Sequence, residues 1–237
     1  MWFFDVDTKE VLGRCLLALN PFNKTPFLDP ESAFGEQLES GRAGETGLIA
    51  GGGYPDFYGP FWICTTLVFV LFFASTVVGL LFSFWQHQNY EYRFDQLTGA
   101  AGLMYSYTFI IPTVLWLVVR YLNISPTTTL VQLICLYGYS NITWIPVAIL
   151  SISPLLGAPT ASNIIRWIFI TLGFAFSGSF IGKNLYMVLI PRESANVTVN
   201  KSAGISVLIA VLLLHTAFAL SVKILFFAGI KVDSGSS

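Results

Sequence analysis

Charged residues are scarce in this chain. Only 11% of its 237 residues are Asp, Glu, Lys or Arg, compared with about 25% in an average soluble domain. The formal net charge is −1 and no basic run is present, so nothing indicates nucleic-acid binding. The long apolar stretches between Phe61 and Ile230 contain neither Asp nor Glu. Ionisable groups at membrane depth usually mark catalysis or ion coupling, and here they are scarce.

Other features expected of an enzyme or a metalloprotein are also missing. The sequence contains no G-x-S-x-G, H-E-x-x-H or phosphate-loop pattern, the signatures of common hydrolases and nucleotide-binding proteins. His215 is the only histidine inside an apolar stretch, without a carboxylate near it in sequence. It is interpreted as a packing or hydrogen-bonding residue, with a ligand or proton-carrying role as the alternative. We therefore predict no catalytic residues, no cofactor and no metal site.

Disulfides and a cleavable signal peptide are not expected either. The chain has three cysteines, and Cys64 and Cys135 fall inside apolar stretches, which argues against a disulfide framework. The first residues lack a basic region, and the apolar run Cys15–Leu19 is too short for a signal sequence. Membrane insertion is therefore assigned to the first long apolar stretch.

Five such stretches are present, and they determine the class of the protein. Each reaches the ~20 residues that a helix needs to cross a ~30 Å hydrocarbon core. The sequence predicts an all-α membrane protein: a bundle of five transmembrane helices with a short N-terminal cytosolic arm. The expected spans cover about 61–84, 99–119, 130–152, 164–190 and 204–229.

Four segments are predicted along the chain: an amphipathic N-terminal arm (1–28), a flexible acidic Gly-rich linker (29–53), the five-span membrane domain (54–230) and a polar tail (231–237). In the arm, Asp7 and Glu10 form a capping-box pattern. The apolar stripe that follows at helical spacing comprises Val11, Leu12, Cys15, Leu16 and Leu19. This stripe favours equally a helix lying in the membrane interface and a helix that docks on a partner or is merely local.

The orientation follows from the basic residues that flank the spans. A cytosolic N-terminus places five of them on the cytosolic side and four on the other, a small bias in the direction that the positive-inside rule requires. An odd number of crossings then makes the tail lumenal.

Polar and small residues within the spans indicate how the helices pack. The third span holds Tyr137, Asn141, Thr143 and Trp144, which need partners because lipid supplies none. They are interpreted as bundle contacts, with a ligand cavity as the alternative. Small residues spaced four apart allow close helix approach and favour a compact bundle, or a homo- or hetero-oligomer. The predicted packing residues are Ser75, Gly79, Gly178 and Gly182.

A family resemblance is carried by the entrance to the first span. The sequence Tyr54-Pro55-Asp56-Phe57-Tyr58-Gly59-Pro60 closely resembles the "DLYGP" signature of the Yip-domain family, the Ypt/Rab-interacting (YIPF-type) proteins of the early secretory pathway. Tyr137-Gly138-Tyr139-Ser140 matches the glycine–tyrosine motif of the family. The segments Arg166-Trp167-Ile168, Ser177-Gly178-Ser179 and Leu213-Leu214-His215 fall in family order, and five spans is the family's number.

The resemblance implies a multi-pass protein of the Golgi membrane, late endosomes or ER-to-Golgi vesicles that acts in vesicle-mediated transport. It also implies that prenylated Rab-type GTPases and other Yip-domain proteins are partners, beside the lipid bilayer itself. We expect a membrane scaffold rather than an enzyme; the alternative is a small transporter or lipid-handling protein with a polar cavity at span three. The residues assigned to partner binding or to the family motif are Asp56, Tyr58, Gly59, Pro60, Tyr137, Gly138 and Tyr139.

Overall fold

The computed structural model describes residues 6–20, 22, 27–28, 55–85, 87, 89, 92–125, 128–152, 159–190 and 201–227. The predicted linker (29–53) and polar tail (231–237) lie outside the described residues. The described helices are α1 (Thr8–Leu19), α2 (Tyr58–Trp85), α3 (Asp95–Tyr121), α4 (Leu130–Leu150), α5 (Pro159–Leu189) and α6 (Lys201–Phe227).

Helices α2 to α6 are each long and apolar enough to cross a membrane, and the described residues contain no strand. The predicted all-α, five-span fold is therefore confirmed. The helices exceed the predicted spans by a few residues at several ends. Helix α2, for example, begins at Tyr58 rather than near Phe61.

Two prolines mark irregular turns within the spans. Helix α3 contains a π-helical turn at Ser106–Ile110, just before Pro112. Helix α4 contains a 3-10 turn at Asn141–Thr143, just before Pro146. Proline lacks the N–H that would bond to the carbonyl four residues earlier, so the α-helical bonding pattern is interrupted at both places.

Helix α4 occupies the centre of the bundle. In its apolar stretch 72% of the residues are buried, against 33% to 39% in the other four spans. It contacts α2, α3 and α5 as well as α1. This explains why α4 is the most polar span: its polar groups face protein, where partners can be supplied, rather than lipid.

The small residues named from the sequence lie in different surroundings. Ser75 donates to the Gln96 side chain of α3 at 2.9 Å, and Gly79 is buried. A Cβ on Gly178 would lie 3.1 Å from Cδ2 of His215, whereas one on Gly182 would meet Leu212 at an ordinary 3.8 Å. Helices α5 and α6 thus approach closely at Gly178, with more room at Gly182.

Helix α1 begins as the sequence predicts but presents the opposite face to the protein. Asp7 caps it by accepting from the backbone N–H of Lys9 at 3.4 Å. Its buried residues are Gly13, Arg14, Leu17 and Ala18. Three members of the predicted apolar stripe point outward, with Leu12 57%, Leu16 66% and Leu19 38% exposed. Two small residues, one leucine and one arginine therefore form the face that contacts α4 and α5.

The arm also extends along the outer surface of α5, where Phe22 remains 80% exposed. The ring of Phe22 packs edge-on against Phe176, with centroids 6.0 Å apart. Phe176 lies near the middle of the 31-residue helix α5, about 20 Å from its end at Leu189 at 1.5 Å per residue. The arm is therefore packed beside the spans in this structure.

Candidate functional site: the junction between the arm and the spans

The family signature forms the start of α2, and Asp56 organises it. The Asp56 carboxylate accepts a hydrogen bond from the backbone N–H of Gly59 at 2.7 Å. It thereby caps the first turn of the helix, whose N–H groups otherwise lack partners. Pro60 sits in the first turn of α2, where its missing N–H costs nothing.

The same carboxylate binds the arm. Arg14 of α1 donates to Oδ2 of Asp56 in an ion pair whose side chains are only 6% and 1% exposed. Tyr139 of α4 donates its hydroxyl to this oxygen at 3.0 Å. Three chain segments therefore meet at Asp56, and each supplies hydrogen-bond partners to buried polar groups of the others.

The backbone of Asp56 is held by α4 as well. Its N–H donates to Sγ of Cys135 at 3.0 Å, and the Cys135 thiol donates to the Asp56 carbonyl at 2.7 Å. Because both the backbone and the side chain are held, the carboxylate is presented to Arg14 in one defined position.

Two glycines allow α2 and α4 to meet at this point. A Cβ on Gly138 would lie 2.5 Å from Cα of Pro60, which is inside van der Waals contact. A Cβ on Gly59 would overlap the hydroxyl end of Tyr139. The two family motifs, in α2 and α4, are therefore the two sides of one helix contact, which requires glycine on both.

The chain after α1 is anchored to α5. The side-chain oxygen of Asn184 accepts from the backbone N–H of Phe27 at 2.8 Å and of Leu28 at 3.3 Å. The ring of Phe27 packs between Phe180 and Tyr139, with centroids at 5.1 and 5.5 Å. The arm therefore fills a cleft between α4 and α5 at two places, through α1 and through residues 27–28.

The predicted site residues differ sharply in accessibility. Asp56 is 1% exposed, Tyr139 is fully covered, and Gly59, Pro60 and Gly138 are buried. Tyr58 is 41% exposed, the largest exposure among the residues assigned to partner binding or to the family motif. In this conformation a partner can touch Tyr58, whereas the other signature residues support the docked arm.

The thiol of Cys15 in α1 lies close to the junction and has a raised pKa. Burial raises the pKa of its thiol from 9.0 to about 11, and the nearby Asp56 carboxylate acts in the same direction. Both effects oppose the thiolate, so the docked arm holds a weakly reactive cysteine.

A second polar group of residues lies deeper, where α3, α4 and α6 meet. Nδ1 of His215 and the Tyr107 hydroxyl share a hydrogen bond of 2.6 Å, and Asn141 donates to Thr108 at 2.8 Å. Several buried side-chain atoms have no partner within the described ranges. They are Tyr137 Oη, Asn141 Oδ1, Thr143 Oγ1, Trp144 Nε1 and Ser177 Oγ.

The junction combines residues that the sequence indicated with residues that it missed. The described residues contain no group of three or more His, Cys, Asp or Glu side chains that could hold a metal ion. The sequence indicated Asp56 and Tyr139 but missed Arg14, Phe27 and Asn184 as their counterparts. The sequence contained one indication of the Arg14–Asp56 pair. Arg14 is a cation on the face of α1 opposite the predicted apolar stripe, and Asp56 is the acidic residue nearest the entrance to the first span.

Comparison with known proteins agrees with the signature. The family profile of the Yip1 domain matches residues 51–227. The protein YIP5 of Schizosaccharomyces pombe is 30% identical over 225 residues, covering 95% of this chain and 78% of that protein. The YIPF1 homolog of Dictyostelium discoideum is 28% identical over 227 residues, covering 96% of this chain and 54% of that protein.

A third relative, YIP5 of Saccharomyces cerevisiae, is 28% identical over 187 residues, covering 73% of this chain and 58% of that protein. This chain therefore spans little more than half the length of two of the three relatives. No solved structure matches it. The match over most of the chain, together with the five spans and the paired motifs at Gly59 and Gly138, shows that the chain belongs to the Yip1-domain family.

Proposed function

We propose that this protein is a membrane scaffold in vesicle-mediated transport that engages prenylated Rab-type GTPases and other Yip-domain proteins. Family membership supports the class of protein. The observation that carries the proposal is the docked arm: Arg14 and Asp56 bind α1 to the start of α2. The arm and the exposed ring of Tyr58 are therefore both held on a rigid helical frame, and a preorganised surface loses little entropy when a partner binds.

The buried signature residues act in this proposal by positioning the arm. Removing residues 1–50 would uncover Asp56 and the cleft filled by Phe27, so a truncated chain would test folding together with binding. Single substitutions separate the two effects better.

The test is capture of a prenylated Rab-type GTPase by the purified full chain in liposomes. Tyr58→Ala should weaken capture, because it removes the exposed signature ring, and Arg14→Met should weaken it by releasing the arm. Tyr121→Ala is the matched control: Tyr121 is 86% exposed at the end of α3 and outside the junction. Equal capture by all four proteins at matched folded level would refute the proposal.

A transporter or lipid-handling protein is the second candidate, and one observation favours it. Around Asn141, five buried polar atoms have no partner among the described residues, and such atoms are what the lining of a polar path would provide. If Asn141→Ala or Thr143→Ala abolishes activity in cells while Tyr58→Ala and Arg14→Met do not, this candidate replaces the scaffold.

For location we propose the Golgi membrane, with exchange to late endosomes or ER-to-Golgi vesicles, a cytosolic N-terminus and a lumenal C-terminus. In sealed vesicles, protease added outside should remove a tag placed before Met1 and spare a tag placed after Ser237. The opposite result would reverse the orientation.

A further inference from the structure

Three cationic side chains among the described residues are almost fully buried: Arg14 is 5% exposed, Arg166 8% and Lys223 5%. Arg14 is neutralised by Asp56. Arg166 and Lys223 form no ion pair with any carboxylate in the part of the chain that the structure describes. We call these two residues the cationic pair.

The cationic pair lies at the far end of the bundle, opposite the arm, where α4 and α6 end and α5 begins. Lys223 donates to the Asn163 side-chain oxygen at 2.9 Å and to the Phe227 carbonyl at 2.6 Å. Its ammonium also lies 5.3 Å from the ring centroid of Trp167. Arg166 donates through Nε to the Ser151 carbonyl at 3.4 Å, a long and weak contact.

These partners are dipoles and a ring, so they orient the two cations without cancelling their charge. The two side chains are also close enough to interact electrostatically with each other. A lysine near the end of a span usually extends to the interface. Lys223 does extend toward the end of α6, where it bonds the carbonyl of the last helical residue, Phe227, yet it stays almost fully buried there. Two buried like charges are costly unless a counter-charge is supplied.

The surroundings of the cationic pair indicate what kind of anion fits. Beside it lies an exposed apolar surface at the membrane-facing side of α5 and α6: Ile164 is 55%, Trp167 44% and Ile224 66% exposed. Tryptophan at the end of a span favours the headgroup level. An amphipathic anion could therefore place its charge on the cations and its chains on this surface.

We propose that Arg166 and Lys223 form a binding site for the phosphate of an acidic phospholipid in the leaflet at the far end of the bundle. A guanidinium can bind phosphate oxygens in a forked geometry, and an ammonium adds a point charge. Basic pockets between spans hold acidic headgroups on the cytoplasmic side of other membrane proteins; in the proposed orientation this pocket would take its lipid from the lumenal leaflet. The bound lipid would fasten α5 to α6 and to the end of α4.

The test is thermal unfolding of the purified full chain in a neutral detergent, with phosphatidylinositol titrated into the micelles. Phosphatidylinositol should raise the Tm more than phosphatidylcholine does. Arg166→Gln and Lys223→Met should each weaken the apparent affinity about five- to tenfold. Arg166→Lys, which keeps the charge, should retain most of the shift. Arg120→Gln, at an exposed position near the other end of the bundle, is the matched control and should behave as the parent.

Each alternative occupant gives a distinct result. Equal stabilisation by inorganic phosphate would show a site for free anions and overturn the lipid assignment. A second result would also overturn the lipid assignment: phosphatidylinositol does not shift the Tm of the parent, and Asp233→Asn destabilises the protein as much as Arg166→Gln does. This result would show that a carboxylate of the tail neutralises the cationic pair. If Arg166→Gln and Lys223→Met fold poorly, the proposal is tested with Arg166→Lys and with mass spectrometry of the lipid that co-purifies with the protein. The proposal is refuted if the parent protein retains no acidic lipid.

Discussion

Breaking the ion pair between Arg14 and Asp56 should release the arm without unfolding the spans. Both side chains are nearly inaccessible, at 6% and 1% exposure, so solvent cannot compensate a lost partner. Removing one member of a buried pair costs about 3–5 kcal/mol, because the other charge stays buried and unpaired. That loss corresponds to roughly a 100- to 5,000-fold change in the docking equilibrium.

The variants can be chosen to isolate charge from shape. Asp56→Asn retains an oxygen that can accept from Gly59 N–H and so preserves the cap of α2, while removing the negative charge. Arg14→Met removes the positive charge and keeps the apolar stem. The double variant leaves no uncompensated charge, so it should lose much less than the sum of the two single changes.

Hydrogen exchange of the amides in Thr8–Leu19 is the direct assay, because it measures opening of α1 separately from global unfolding. Each single variant should lower protection in this segment strongly and leave α5 unchanged. Lys9→Met is the control, since Lys9 is an exposed cation on the same helix. Single-variant losses below threefold, or losses that simply add in the double variant, would refute the argument.

Three further predictions follow from the geometry. Gly138→Ala should lower the free energy of unfolding in detergent by about 1–3 kcal/mol, because the added carbon overpacks the contact with α2. Gly102→Ala is its control, since nothing lies within 4 Å of the added carbon. This variant should leave the free energy of unfolding unchanged or raise it by up to about 1 kcal/mol through helix propensity. Tyr107→Phe should cost about 1–3 kcal/mol, because it leaves His215 without its 2.6 Å partner. Finally, Cys15 should be labelled by a thiol reagent slowly at pH 8, with a rate that rises about tenfold per pH unit up to the pKa of about 11; a plateau near pH 9 would contradict the docked arm.

The sequence by itself determined the class of the protein, because the membrane requirement is local. Each apolar stretch has to be long enough to span and has to bond its own backbone, so five helices could be read directly. The capped start of the arm helix at Asp7 was also readable, because caps depend on a few neighbouring residues. The family signature could be recognised for the same reason.

Only the tertiary structure decided which face of the arm is buried. The stripe containing Leu12 and Leu16 predicted an apolar contact face, yet the face that packs is the one with Gly13, Arg14, Leu17 and Ala18. The buried ion pair between Arg14 and Asp56 requires this face to turn inward, because an unpaired buried charge is costly. The partner of Arg14 lies 42 residues away, and sequence spacing carries no information about such a pairing.

The same reason explains Lys223. Its sequence position near the end of a span favours extension to solvent at the interface. Only the packed structure places Asn163 and the Phe227 carbonyl around the ammonium, so that it is buried beside Arg166 rather than solvated. Helix existence is encoded in short windows of sequence. Which buried charges meet, and which remain without a counter-charge, is decided only when the helices are packed together.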